Sequence, residues 1–222
     1  MRIGILGSGV VGQTIGTKLV QLGHEVYMGS RDAANPNAVA WANKENLHKD
    51  TTQKHALFGT FDNAATFGEM IFNCTLGAAT LDALHQAGTE NLRGKILIDT
   101  SNPLDYSEDN WSLTISNTDS LGEQIQRAFP ATKVVKTLNT MNCTVMVDPN
   151  TLKEMTDVFV SGNSAEAKAK VSAILREWFG WRSVIDLGDI TTSRSVEMYV
   201  ALWRSLRLAN KSYYFNIKVI GT

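Results

Sequence analysis

Glycines at positions 7, 9 and 12, in the stretch "RIGILGSGVVGQTIG", have types and spacing suited to holding a phosphate. "RIGIL" reads as a buried strand and the residues from Val10 onward as a helix, so the glycines fall on the turn between them. There Gly7 permits a tight turn, Gly9 lets a pyrophosphate approach the backbone, and Gly12 lets the helix pack closely on the strand. Free amides in the turn and at the helix start, from Ser8, Val10 and Val11, point at such a phosphate, aided by the helix dipole. A glycine triplet alone is weak evidence. The strand-turn-helix-strand context, completed by "HEVYM", makes it a dinucleotide-binding fingerprint.

The next informative residues are "GSRD" at 29–32, with Ser30 eighteen residues after Gly12. A carboxylate at this point would accept hydrogen bonds from a ribose 2′-hydroxyl and repel a 2′-phosphate. Ser30 removes that repulsion and offers a hydroxyl donor. Arg31 brings a permanent charge and a planar fork suited to phosphate oxygens. This pattern predicts NADP, while Asp32 leaves open an NAD-type acid in a shifted register.

Groups for proton transfer are scarce. The histidines, at 24, 48, 55 and 85, all lie in the first half, and none follows residue 85. Lys136, in "VVKTLN", is either a base or a partner in a satisfied ion pair. Asp186, Asp189 and the acidic "SEDN" loop lack the His and Cys neighbours of a metal site, so no metal is expected. Cys74 and Cys143 are too few for a disulfide framework and read as reduced thiols in a cytoplasmic protein. No catalytic residue is assigned.

The elements that must position these residues alternate along the chain. Strands are expected at 2–6, 25–29, 56–58, 70–75, 95–99, 133–138, 157–161 and 183–187, and helices near 10–22, 36–48, 78–87, 119–128, 164–179 and 193–212. Strand-helix alternation with near-continuous apolar strands predicts an α/β fold of Rossmann type. Its sheet should be doubly wound and mostly parallel, with a C-terminal helical extension. The expected division is an NADP-binding core over 1–140 and an extension over 141–222 that packs on it. The stretch 102–120 reads as a long loop. In the last helix Val196, Tyr199, Val200, Trp203, Leu206 and Asn210 form an apolar stripe, with Glu197, Arg204 and Lys211 on another face. That stripe could close the core or, through Tyr199 and Trp203, form a homodimer. The formal charge of −1, with 21 basic and 22 acidic residues, gives no electrostatic case for nucleic acid or an anionic membrane. No run of about 18 apolar residues occurs, and no signal-peptide pattern precedes the first strand.

Taken together, "GSGVVG…GHEVYMGSR", "GKILIDTSNP", "VVKTLNTMNC", "DVFVSGNSAEAK" and "SRSVE" resemble the coenzyme F420-dependent NADP oxidoreductases, deazaflavin enzymes. They are similar also to the cytoplasmic reductase domain of the six-transmembrane metalloreductases, whose membrane haem domain these residues do not include. The resemblance implies a nicotinamide lying along the carboxyl ends of the central strands. Thr75, Leu76 and Gly77 would then follow the fourth strand, and Ser101, Asn102 and Pro103 the fifth. Leu138, Asn139, Thr140 and Met141 would form the far wall. Asn139 stands where some deazaflavin reductases have a histidine, which leaves the acceptor open. The expected activity is hydride transfer between NADP(H) and a planar redox acceptor, coenzyme F420 or a flavin, a small-molecule partner. An NADP(H)-binding sensor without turnover and a small imine or carbonyl reductase are the alternatives.

Overall fold

The computed structural model describes residues 1–47, 55–106 and 111–221. His48, the last residue expected in the second helix, and the "SEDN" loop lie outside the described residues.

Beginning with β1 (Arg2–Leu6), α1 (Val10–Gln21), β2 (Glu25–Ser30), α2 (Pro36–Leu47) and β3 (Ala56–Thr60), the chain lays down the first winding of the sheet. It continues through α3 (Phe61–Phe67), β4 (Met70–Asn73), α4 (Thr80–Ala87), α5 (Thr89–Leu92) and β5 (Ile96–Asp99). A small hairpin, β6 (Leu104–Asp105) with β7 (Ser112–Leu113), precedes α6 (Leu121–Ala128) and β8 (Lys133–Thr137). After α7 (Cys143–Val147) come β9 (Asp157–Ser161), α8 (Ala165–Glu177), β10 (Ser183–Gly188) and the long α9 (Ser193–Asn210).

Eight strands form one sheet in the order β10-β9-β8-β5-β4-β1-β2-β3. All pairings are parallel except β8 with β9, where the chain reverses. β1 pairs with both β2 and β4, so the winding changes direction there, and a crevice opens at the strand ends, where such sheets bind ligands. Helices cover both faces. One core layer includes Ile15 and Leu19 of α1, Trp41 of α2, and Val171 and Leu175 of α8. The other includes Phe61 of α3, Leu84 of α4, and Leu121 and Ile125 of α6. This is the doubly wound, mostly parallel arrangement expected. Because β9 and β10 belong to the same sheet, residues beyond 140 extend that sheet as well as packing on it.

Element ends depart from the sequence reading for local reasons. β8 stops at Thr137 because Leu138 adopts φ 63°, a left-handed conformation that no strand continues. α6 begins at Leu121 because the Ser120 hydroxyl accepts from the Glu123 amide and caps it. α3 was not expected. Its start is a capping box in which the Thr60 hydroxyl accepts from Asn63 N and the Asn63 side-chain Oδ1 accepts from Thr60 N. Among the described residues no helix is long and apolar enough to cross a membrane.

Candidate cofactor and acceptor cleft

The glycine turn has the geometry that its spacing requires. Gly7 sits at φ 113°, and a Cβ there would lie 2.6 Å from the Cys74 carbonyl oxygen. A Cβ on Gly12 would come within 2.0 Å of the Gly7 carbonyl oxygen, so only glycine lets α1 approach β1 this closely. A Cβ on Gly9 would meet nothing within 4 Å. Gly9 therefore faces open space at the start of a twelve-residue helix, as a cradle for a diphosphate must. The turn is braced from both sides. The Ser8 hydroxyl donates to Asn35 Oδ1 (3.0 Å), and the Gln13 amide donates to the Ser8 carbonyl (2.9 Å). Val10 is exposed, and Val11 reaches the cleft described below.

At the end of β2 the residues of "GSRD" have separate roles. Ser30 is buried and its hydroxyl donates to the Asp32 carbonyl oxygen (2.5 Å). The Asp32 carboxylate accepts from the Ala34 amide (2.9 Å) in a local turn. Arg31 is left exposed beside the start of α2. A 2′-phosphate here would meet an exposed guanidinium, while one oxygen of the Asp32 carboxylate accepts from backbone.

Loops after β4, β5 and β8 meet around a cleft of about 280 Å³. Thr75, Leu76, Gly77, Ser101, Asn102, Asn139 and Met141 all line it. Pro103, Leu138 and Thr140 are buried and lie outside that lining. Close approach of two loops explains Gly77, where a Cβ would fall 1.9 Å from the Asn102 carbonyl oxygen.

Side chains on these loops hold one another. Asn102 Nδ2 donates to the Asn139 carbonyl (2.8 Å), and Asn139 Nδ2 donates to Asn102 Oδ1 (2.9 Å) and to the Val196 carbonyl of α9 (3.1 Å). Thr75 Oγ1 is 2.7 Å from Asn73 Oδ1 and 2.9 Å from Thr80 Oγ1. Asn73 Nδ2 and Ser101 Oγ each donate to Asp99 Oδ1 at 2.7 Å. The hydrogen-bonding groups that sequence reading placed beside the nicotinamide thus act first as braces for the wall.

Lys136 resolves as an ion-pair residue. Its ammonium lies 2.6 Å from Asp99 Oδ2 and 2.8 Å from Glu197 Oε1, with Lys136 and Asp99 fully buried and Glu197 1% exposed. Burial favours the neutral amine, but the two carboxylates outweigh it and hold the pKa above its ordinary value. A lysine kept protonated in this way is no general base near neutral pH. Glu197 is the correction here. Helical spacing placed it on a polar face, whereas it points inward and accepts from the Leu121 and Gly122 amides (2.8 and 2.9 Å) at the start of α6. The unfilled amides of a helix N-terminus are what make a buried carboxylate tolerable there.

Aromatic side chains also line the cleft, and the sequence did not show that they would meet there. Tyr106 and Trp111 come from the hairpin, Trp203 from α9 and Tyr213 from the tail. Tyr106 meets Trp111 edge-on at 5.3 Å, and Trp203 stacks on Phe215 at 5.6 Å. Arg207 lies over both Trp111 and Tyr213 and donates to the Tyr213 hydroxyl, fastening hairpin, helix and tail together. Trp203 therefore packs against its own chain.

The described histidines lie away from the cleft. His24 packs on Trp178, with its pKa lowered by burial and the nearby N-terminal charge, and His85 packs on Phe129. Cys74 and Cys143 are free thiols at the cleft, and burial pushes Cys74 up to about 12. Among the described residues no group of three or more His, Cys, Asp or Glu could hold a metal ion.

Residues 2–103 match the family described as NADP oxidoreductase, coenzyme F420-dependent. A candidate F420-dependent NADP-reductase from Arthrobacter sp. FB24 is 45% identical, with full coverage of both chains and a TM-score of 0.91. The rat metalloreductase STEAP3 is 29% identical over 197 residues, 88% of this chain and 36% of that protein. The chain thus spans little more than a third of the length of the curated relatives it matches. An imine reductase from Streptomyces aurantiacus, 16% identical, shares the fold at a TM-score of 0.65 over 94% of this chain and 62% of its own. By its match to the full length of the Arthrobacter protein and to the family pattern, the chain belongs to the coenzyme F420-dependent NADP oxidoreductase family and is an NADP-dependent oxidoreductase.

Proposed function

We propose that the chain passes hydride between NADP(H) and a planar redox coenzyme, either coenzyme F420 or a flavin. On this reading the turn 7–12 cradles the pyrophosphate, Arg31 meets the 2′-phosphate, and the loops after β4, β5 and β8 hold the nicotinamide. NADP(H), when bound, supplies or accepts the hydride. The chain's own residues orient the nicotinamide, present the second ring and exclude water.

One observation carries this proposal. The cleft is lined by four aromatic side chains, Tyr106, Trp111, Trp203 and Tyr213, together with mutually hydrogen-bonded small side chains, and the buried lysine beneath it is locked in ion pairs. Aromatic faces suit offset stacking with a planar ring. Hydride transfer between stacked rings needs positioning more than a dedicated acid.

Small imine or carbonyl reduction is the second reading, favoured by the Tyr106 phenol at the cleft. Burial raises its pKa, so the phenol carries its proton at neutral pH. Turnover of NADPH against coenzyme F420, FMN, FAD, quinones, ferric chelates and cyclic imines separates the two. Activity with a ring coenzyme supports the first, and activity confined to imines would replace it with the second.

A further inference from the structure

Lys136, Asp99 and Glu197 form a cluster sealed from water, and that cluster grips the cleft lining at Ser101. The Lys136 ammonium donates to the Ser101 carbonyl oxygen (2.7 Å), on the loop after β5 that lines the cleft. Asp99 holds the same residue from the other side, accepting from the Ser101 hydroxyl (2.7 Å) and amide (3.2 Å). Glu197 ties the ammonium to α6 and α9 at once, because its carboxylate also takes the first amides of α6.

A buried ion pair is a poor source of net stability, since desolvation offsets most of the attraction. Three charges placed here need another reason, and the geometry supplies one. The ammonium donates to the Ser101 carbonyl while it sits in ion-pair contact with Asp99 Oδ2 and Glu197 Oε1. With two carboxylates fixing the nitrogen, the loop 100–103 is left with one position. One residue further on, Asn102 is clamped to Asn139, which in turn donates to α9. The wall thus hangs from α9 at two points, Glu197 through Lys136 and Val196 through Asn139.

We infer that Lys136 is a positioning residue for hydride transfer, fixing through the Ser101 carbonyl the wall against which the nicotinamide is aligned. It acts through Ser101 and touches no reacting atom. The inference rests on the nicotinamide occupying this cleft, as proposed above. Displacement of such a wall by about an ångström is enough to cost roughly 100-fold in rate. The adenosine half of the cofactor should not sense it, because that half would lie on the glycine turn and Arg31.

The test compares the unmutated protein with Lys136→Met and Glu197→Gln, the second retaining the Lys136–Asp99 pair in case the first fails to fold. The readouts are 2′,5′-ADP affinity, kcat and KM for NADPH with a ring acceptor, and energy transfer from tryptophan to bound NADPH. We expect 2′,5′-ADP affinity to stay within about 2-fold and kcat to fall about 10-fold or more in Lys136→Met, and several-fold in Glu197→Gln. A folded variant of either kind with the kcat of the unmutated protein would overturn the positioning role. So would a parallel loss of 2′,5′-ADP affinity, the mark of general unfolding. Absence of energy transfer in the unmutated protein, where Trp111 and Trp203 line the cleft, would instead overturn the placement of the nicotinamide, and this inference with it.

Discussion

Replacing Gly9 and Gly12 separately by alanine should divide cofactor binding from folding. In Gly12→Ala the new methyl would lie 2.0 Å from the Gly7 carbonyl oxygen and 3.3 Å from Ile5 Cγ2. The first contact is with backbone, so α1 must move away from β1 by more than an ångström to restore ordinary separation. Overpacking of this kind costs about 1–3 kcal/mol. For a chain of this size, at roughly 2–4 °C per kcal/mol, Tm should fall by about 2–12 °C. In Gly9→Ala the methyl meets nothing within 4 Å, so the only cost is that of alanine at a helix N-cap, about 1 kcal/mol or less. That same methyl would stand where the pyrophosphate must approach. NADPH affinity should therefore fall at least about 10-fold, which corresponds to 1.4 kcal/mol or more. Thermal unfolding without ligand and NADPH titration by fluorescence read the two effects independently. If Gly9→Ala binds NADPH as tightly as the unmutated protein, the pyrophosphate does not lie on this turn. If it is destabilised as much as Gly12→Ala, the assigned roles of the two glycines are wrong.

Arg31→Ala should erase most of the preference for NADPH over NADH, because one charge-assisted phosphate contact is worth about 1.5–3 kcal/mol, and equal affinities before mutation would refute the role of Arg31. Asn139→Trp should stop turnover with a ring acceptor while leaving 2′,5′-ADP affinity within a few-fold, and undiminished turnover would show that the ring does not stack there. Iodoacetamide near pH 8 should leave Cys74 unmodified, since its pKa is about 12, as mass spectrometry of the alkylated protein would report. The pKa of Lys136 is raised over its ordinary 10.5, so its contribution to stability is complete below that pH and is lost as pH climbs through the higher folded-state value. Urea midpoints that dropped between about pH 7 and 9 in the unmutated protein, but stayed level in Lys136→Met, would contradict this. A homodimer, if formed, would use the outer face of α9, where Leu202 and Leu208 are exposed, because Trp203 closes on its own tail. Leu202→Glu should then shift the sedimentation coefficient to that of a monomer, and a monomer before mutation would remove the expectation.

The sheet was legible mainly because its central strands are buried on both faces, so each of these appears as an apolar run bounded by turn residues. "KILID" and "DVFVS" need no knowledge of their neighbours to be recognised. Their direction was less accessible, since the pattern of a strand is the same whichever way it runs. The antiparallel step from β8 to β9 depends on the short return through α7. The elements that escaped notice, among them α3, α5, α7 and the two-residue strands of the hairpin, are too short for a helical or alternating period to emerge.

For the candidate site the dividing line is different. The tight turn at Gly7, the open space at Gly9 and the close helix approach at Gly12 were readable because they depend on backbone conformation within one local unit. Glu197 was not, because its place is set by two partners, the amides of α6 some 75 residues earlier and the Lys136 ammonium. On a helical wheel it is simply a charge beside charges, and nothing local shows that a helix start lies buried against it. A signal did exist: an acid in the second turn of a helix that carries an apolar stripe, together with a lysine in a strand otherwise buried. Each is unfavourable alone, and buried charges of opposite sign are tolerated only when they find each other. Pairing the unexplained lysine with the unexplained acid would have predicted the Lys136–Glu197 contact. The aromatic lining gave no such signal, because Tyr106, Trp111, Trp203 and Tyr213 come from separate segments and meet only after the tail folds back along α9.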